Sequence, residues 1–190
     1  MARPRQFDED RAVEAAMRAF WAAGYEATST QDLCAATGLG RSSVYNTFDS
    51  KHDLFGRALR RYMEQKNAGL AELMESDLPV REKMRTLLWY AVEPDPGDPA
   101  GCLVVNTLVE LGPRDPEIAE VLRRDTEARL RLLRAAFERG RARGEIGADR
   151  DPVALAQFVI ATVSGMRVAR RGGADGEALE AIASTALTAL

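Results

Sequence analysis

Residues 24–55 read GYEATSTQDLCAATGLGRSSVYNTFDSKHDLF, and helix stop and start signals alternate along this run. Gly24 supplies a C-terminal stop, after which Ser29 or Thr30 can accept from free backbone N–H groups and open a short helix through Thr37. Gly38 ends it. After Leu39 and Gly40, the segment RSSVYNTF has room for barely two turns before Asp49 and Ser50 announce another start. A helix of about ten residues, a glycine-containing turn and a second short helix form a helix-turn-helix unit, whose second helix is slim enough to enter the major groove of DNA. Residues 30 to 48 have that layout. The second helix carries Arg41, Ser42, Ser43, Tyr45, Asn46 and Thr47, nearly all hydrogen-bonding groups, and leaves only Val44 and Phe48 for packing. A solvated helix face would have the same polarity, so this feature alone does not separate the two readings.

Upstream, Val13, Ala16, Met17 and Phe20 fall at i, i+3, i+4 and i+7, which places them on one stripe of a helix from about residue 8 to 23, with Asp8 as its cap. Downstream, a long helix from about Lys51 to Glu75 has the inner stripe Leu54, Phe55, Ala58, Leu59 and Tyr62. A fifth helix opens at Pro79 and carries Met84, Leu87, Leu88 and Val92. The run EPDPGDPAG breaks it off, because three prolines cannot continue a helix interior. A sixth helix, Cys102 to Leu111, follows. Residues 117 to 139 read as a long seventh helix with Ile118, Val121, Leu122, Leu130, Leu133 and Phe137 inward and arginines outward. The last two helices, roughly 152 to 170 and 175 to 189, are rich in alanine and other small apolar residues. No strand pattern and no internal repeat occurs, so the expected fold is all-α with about nine helices. A boundary near residue 50 separates a three-helix N-terminal domain (1–50) from a helical C-terminal domain (51–190).

Composition excludes several classes. The 190 residues are 46% apolar and 29% charged, which leaves disorder, collagen-like and disulfide-scaffold readings without support. No run of eighteen uninterrupted apolar residues occurs, and MARPRQFDEDR lacks the apolar core of a secretory signal, so a cytoplasmic protein without membrane association is expected. Two cysteines, Cys34 and Cys102, and the single histidine His52 are too few for a zinc site. No metal and no cofactor are expected. The formal net charge of -3 requires any DNA contact to be locally basic.

The quoted stretch resembles the first-domain signature of the TetR family of repressors almost without gaps. The match covers about residues 7 to 60, with RPRQFDEDRAVEAAMRAFWAAGY continuing the pattern upstream. The resemblance implies that Thr30 and Tyr45 hydrogen-bond phosphates, that Lys51 pairs with another, and that Gln31, Arg41, Ser43, Asn46 and Thr47 stand near base edges. Arg can donate two bonds to guanine and Asn can pair with adenine, so Arg41 and Asn46 are the favoured readers. The sequence departs from the family at Gly40, where Ser or Thr commonly caps helix three, and at Ser42, where Gly is common. Arg3 and Arg5, flanking Pro4, form a basic leader of the kind that enters an A·T-rich minor groove, or a plain charged tail.

A repressor of this family implies a second input. Trp89, Tyr90, Leu103, Leu133, Phe137, Phe158 and Met166 are candidates to line an effector pocket, the alternative being plain core. Asn106, Thr107 and Glu110 are candidates to orient the small molecule. Cys102, at a helix start, is either a thiol of lowered pKa that senses oxidants or electrophiles, or a small half-buried residue. Leu155, Val159, Val163, Met166, Leu179, Ile182, Ala183 and Leu187 on the last two helices are expected to pair with a second copy. The homodimer would then present two heads to an inverted-repeat operator. His52 is expected as a cap or surface residue. No catalytic group set occurs, so an enzyme is not expected. A dimeric helical protein-interaction module without DNA binding remains the alternative.

Overall fold

A computed structural model describes the backbone of residues 3–190 and the side chains of residues 9–190, and contains, among these, nine helices and no strand. They are α1 Arg3–Ala23, α2 Thr30–Thr37, α3 Arg41–Thr47, α4 Lys51–Glu75, α5 Val80–Val92, α6 Leu103–Glu110, α7 Pro116–Ala142, α8 Pro152–Arg171 and α9 Gly176–Thr188. Two ends differ from the sequence reading. Helix α1 starts at Arg3 and contains Asp8 instead of being capped by it, because a proline in the first turn gives up no helical hydrogen bond and so Pro4 does not delay the start. Helix α7 runs on to Ala142. The side chains of Arg3, Arg5 and Asp8 lie outside the described residues.

The chain divides into two compact units. The first joins the N-terminal residues through Gln65 with Cys102–Glu120; the second comprises Lys66–Gly101 and Val121–Leu190. This division differs from a boundary at residue 50: the first fifteen residues of α4, Lys51 through Gln65, stay with the N-terminal helices, and α6, distant in sequence, joins the first unit.

In the first unit the stripes of α1 and α4 meet as the sequence pattern requires. Phe20, Phe55, Leu54, Ala58 and Leu59 are fully buried, and the Phe20 and Phe55 rings pack edge to face at 5.0 Å. Ion pairs flank this seam: Arg57 meets Glu9 at 2.5 Å and Asp53 at 3.1 Å, and Arg61 meets Glu14 at 2.5 Å. Each such part-exposed pair contributes about 0–1 kcal/mol, so the buried rings carry most of the stability here.

The second unit has its own core, in which α5 packs against α8 and α9. Leu155, Val159, Val163, Met166, Leu179, Ala183 and Leu187 belong to it, none more than 9% exposed, together with Leu133 and Phe137 of α7. Seven of the eight residues expected at a two-fold interface are therefore the protomer's own core, and only Ile182, 39% exposed, faces outward. The cause is that α8 carries two apolar stripes, and composition does not tell which one α5 covers. At the end of α4 the Met74 carbonyl accepts from Lys83 Nζ at 2.7 Å and Arg139 Nη2 at 2.8 Å, two cations on the negative helix end.

Among the described residues, α8 is the one helix long and apolar enough to cross a membrane by length and composition, and its stripe Leu155, Val159, Val163 and Met166 is buried in the core of the second unit. Asp151 caps its start and Arg170 and Arg171 stand in its last turn.

Candidate nucleic-acid interface

The reading head is built by local signals. Ser29 caps α2: its hydroxyl accepts from the Asp32 N–H while Asp32 Oδ2 accepts from the Ser29 N–H at 2.8 Å, a capping box. The Ser29 hydroxyl also donates to Asp32 Oδ2 at 2.6 Å, and this bond foremost, then that from the Ser29 N–H, holds the Asp32 carboxyl below the usual carboxylate range. Gly38 closes α2 with φ of 68°, a left-handed conformation that a side chain would strain. Gly40 caps α3 without a side-chain bond, so the departure from Ser or Thr costs α3 a cap but not its existence.

Two buried apolar residues, Val44 and the C-capping Phe48, anchor helix α3. Val44 and Phe48 are 3% and 0% exposed, and the Arg57 guanidinium lies 5.3 Å over the Phe48 ring. The outward side carries Arg41, Ser42, Ser43, Tyr45 and Asn46, all exposed, with Thr47 half-buried. Thr30, the first residue of α2, and Tyr45 bring their hydroxyls to 3.0 Å from each other. The Arg41 guanidinium stands 6.0 Å from the centre of the Tyr45 ring. Gln31 is exposed beside Thr30. Lys51 opens α4, its ammonium 4.4 Å over the Tyr25 ring, a cation held by an aromatic face.

Glu110, expected to orient a ligand, and His52 both support this head. Glu110, at the end of α6, accepts from the backbone N–H groups of Tyr25 at 3.0 Å and Glu26 at 2.7 Å. Its carboxylate is thus spent on the turn after α1 instead of standing ready for a ligand. His52 Nε2 lies 2.6 Å from Asp115 Oδ2, a tertiary hydrogen bond made by a side chain that is still 38% exposed. The Asp115 carboxyl is held below the usual range, first by the Ile118 N–H and then by His52. Sequence separations of 85 and 63 residues explain why no local signal announced either contact.

The other expected effector residues fall in different units. Leu103, Asn106 and Thr107 belong to the first. The Thr107 hydroxyl is taken by the Leu103 carbonyl at 2.7 Å, whereas Asn106 Nδ2 is buried with no hydrogen-bond partner among the described residues. Trp89, Tyr90, Leu133, Phe137, Phe158 and Met166 belong to the second. Leu133, Phe137 and Met166 are core, Trp89 packs against that core, and Tyr90 and Phe158 are 55% and 39% exposed. A cleft of 230 Å³ between α7 and α8 is lined by Leu130, Val153 and Ala156 together with Glu127, Arg131, Arg134 and Gln157. It is smaller than the roughly 300–1,000 Å³ of a drug-sized site and touches none of those residues. Cys102 is buried, not half-buried, and accepts a 3.5 Å hydrogen bond from the Tyr62 hydroxyl; Cys34 is half-buried.

Comparison with known proteins agrees with this geometry. Residues 12–58 match the family model described as bacterial regulatory proteins, tetR family, and residues 81–186 match the tetracyclin repressor-like C-terminal domain. The HTH-type transcriptional repressor ComR of Escherichia coli is 35% identical, the similarity covering 97% of this chain and 90% of ComR. The uncharacterized HTH-type regulator YezE of Bacillus subtilis is 34% identical over 84% of each chain. Among solved structures, a cysteine mutant of the TetR family regulator CifR complexed with a 26-bp operator duplex superimposes with a TM-score of 0.86 at 32% identity, covering 99% of both chains. With one family model spanning more than half of its length, this chain belongs to the TetR family of DNA-binding transcriptional regulators.

Proposed function

We propose that the protein is a homodimeric, cytoplasmic repressor without a reaction of its own, which binds an inverted-repeat operator through α3 and releases it when a small molecule binds. The observation that carries this reading is the outward face of α3, polar along its length and joined at one end to Thr30 through the Tyr45 hydroxyl. Arg41 and Asn46 take the base edges. Gln31, Ser43 and Thr47 stand beside them, Ser42 adds a hydroxyl, and Thr30, Tyr45 and Lys51 hold phosphates. Arg3 and Arg5 extend the contact into the minor groove. Residues 1–50, together with Lys51 at the start of α4, thus read DNA, and the rest of residues 51–190 sense and pair.

Pairing is supported by what the protomer leaves bare. Ala154, Phe158, Ala161, Gly165 and Val168 follow one another at helical spacing on the side of α8 opposite its core stripe, and Ile182 is exposed on α9. A Cβ added at Gly165 would meet nothing within 4 Å, so this stripe has room for a close helix neighbour. A second copy covers such a stripe with two-fold symmetry, and two heads then meet successive major grooves about 34–36 Å apart. Among the polar effector candidates, Asn106 is best supported, because its buried amide has a donor to offer. Release follows from linkage: an effector that prefers a head separation unsuited to the groove spacing opposes DNA by about 1–3 kcal/mol per site, with helix α4 as the transmitting element.

Selection of bound fragments from random duplex DNA by the purified protein tests the reading. A palindromic consensus is the expected result, and Arg41→Ala combined with Tyr45→Phe should abolish binding while the dimer persists. Failure to enrich any duplex at low salt would leave the interaction-module reading in its place.

A further inference from the structure

The turn that follows α1 is held by an anion. Gly24 ends α1 with φ of 93°, and the next two backbone N–H groups donate to the two oxygens of a single carboxylate, Tyr25 to Glu110 Oε2 at 3.0 Å and Glu26 to Oε1 at 2.7 Å. Successive N–H groups beside a left-handed residue form a concave anion site. The fit is close: a Cβ at position 24 would stand 3.0 Å from Glu110 Oε2. Hydrogen bonds to an ionised acceptor are roughly twice as strong as neutral ones, so this end of α6 grips the turn firmly.

What the turn carries is the Tyr25 ring. It lies 4.9 Å from the Phe55 ring and 6.1 Å from the Phe20 ring, so its position is set by packing once its backbone is fixed. The Lys51 ammonium stands over the Tyr25 ring, 4.4 Å from its centre. The following residue, His52, is pinned from the same side of the sequence by Asp115, whose second oxygen accepts from the Ile118 N–H at 3.0 Å. Residues 110 and 115 therefore hold the turn before α2, which carries Tyr25, and the first turn of α4, to which Lys51 belongs.

We propose that Glu110 is a positioning residue for DNA binding: by clamping the Tyr25–Glu26 turn it holds the Tyr25 ring beneath Lys51, and so holds the ammonium where a backbone phosphate is met. The proposal rests on the reading of Lys51 as a phosphate contact. Glu110 itself touches no DNA. A flexible lysine loses rotamer freedom when it binds, and an aromatic face that already restricts it reduces that loss.

The test uses the full-length protein and the duplex that the wild type selects from random DNA, with affinity measured across salt concentrations for wild type, Glu110→Gln, Lys51→Ala and the double variant. Lys51→Ala should make the slope of log affinity against log salt shallower by about 1. Glu110→Gln, which keeps the shape but faces an amide donor towards one of the two N–H groups, should weaken binding roughly 5–10-fold and flatten the slope in the same way. Adding Lys51→Ala to it should then cost less than about twofold more, since both changes remove one interaction. Tyr25→Leu, which leaves the carboxylate clamp in place, should reproduce the slope change, and helical signal and melting of every variant are recorded alongside. A merely structural role for Glu110 would leave the slope unchanged and make the penalties of Glu110→Gln and Lys51→Ala multiply. That outcome overturns the proposal alone. A Lys51→Ala protein with the wild-type slope overturns the phosphate assignment and the proposal with it.

Discussion

The hydroxyl groups of Thr30 and Tyr45 meet at 3.0 Å across the corner between α2 and α3. One of them donates to the other, which leaves one proton of the pair directed outward and both oxygens prearranged. A phosphate oxygen that accepts this proton gains a charge-assisted bond without ordering either side chain anew.

Tyr45→Phe removes the pair while keeping the ring over which Arg41 lies. Because Tyr45 is 40% exposed, stability should change little, whereas DNA affinity should fall by about 1.5–3 kcal/mol, the range for a bond to a charged group. Fluorescence anisotropy with the selected duplex and a thermal melt separate the two effects. Equal affinity for both proteins would remove Tyr45 from the phosphate contacts.

Base reading and phosphate holding predict different signatures. Arg41→Ala and Asn46→Ala should each relax the consensus at one position of every half-site, losing about 1–3 kcal/mol of discrimination there. Ser42 and Ser43, with shorter reach, should shift preferences less. Repeating the selection with each variant shows whether a position loses its information or the whole logo merely weakens.

Local chemistry was legible from the sequence to a large extent. A cap at Ser29 or Thr30, the stop at Gly38 and the stripe Leu54, Phe55, Ala58, Leu59 and Tyr62 all follow from signals within four to eight residues; the structure has the stop and the stripe and puts the cap at Ser29, completed by Asp32. What could not be read depends on which surfaces meet. The periodicity of α8 contains both Leu155, Val159, Val163 and Met166 and, on the opposite side, Ala154, Phe158, Ala161 and Gly165. Only the placement of α5 makes the first stripe core. Likewise the spacing of Asn106, Thr107 and Glu110 on α6 gave no sign that a turn 85 residues away would claim Glu110.

The bare stripe of α8 yields a prediction with opposite effects on two observables. Ala161→Arg places a charge on an exposed position, so a single protomer should keep its helical content. If a second copy covers this stripe, burying that guanidinium without a partner costs several kcal/mol and the dimer dissociates. Sedimentation should then report a monomer, and affinity for a palindrome should drop towards that for a half-site. A variant that still sediments as a dimer would move the interface elsewhere.

Asp115 sets an acid limit on the first unit. Its folded-state pKa is lowered, by the Ile118 N–H foremost and then by His52, so the carboxylate contributes stability above its unfolded pKa and loses it as pH falls through the folded one. The stability gap between wild type and Asp115→Asn should therefore be widest near neutral pH and shrink below about pH 4. Denaturant melts across that range measure it, and a gap that grows on acidification contradicts the assignment.

Lys83 makes the reverse case in the second unit. Its side chain is 4% exposed, with the ammonium on the Met74 carbonyl that Arg139 also reaches. Burial lowers its pKa below the lysine range, and Arg139 and Arg143 lower it further, against weaker opposing influence from Glu145 and Asp77. Desolvating an ammonium costs several kcal/mol, whereas one hydrogen bond to a carbonyl that keeps another donor returns about 1–3 kcal/mol. Desolvation wins, so Lys83→Met should be about 1–2 kcal/mol more stable than wild type at neutral pH, the Met74 carbonyl still being held by Arg139. The sign with pH is fixed by linkage: between the folded and unfolded pKa values the unfolded chain binds more protons, so wild-type stability rises with pH and the advantage of the variant narrows towards pH 10. Urea denaturation of both proteins from pH 7 to 10 decides the matter. A destabilised variant, or an advantage that widens with pH, would mean that the capping bond at the end of α4 outweighs the burial of its charge.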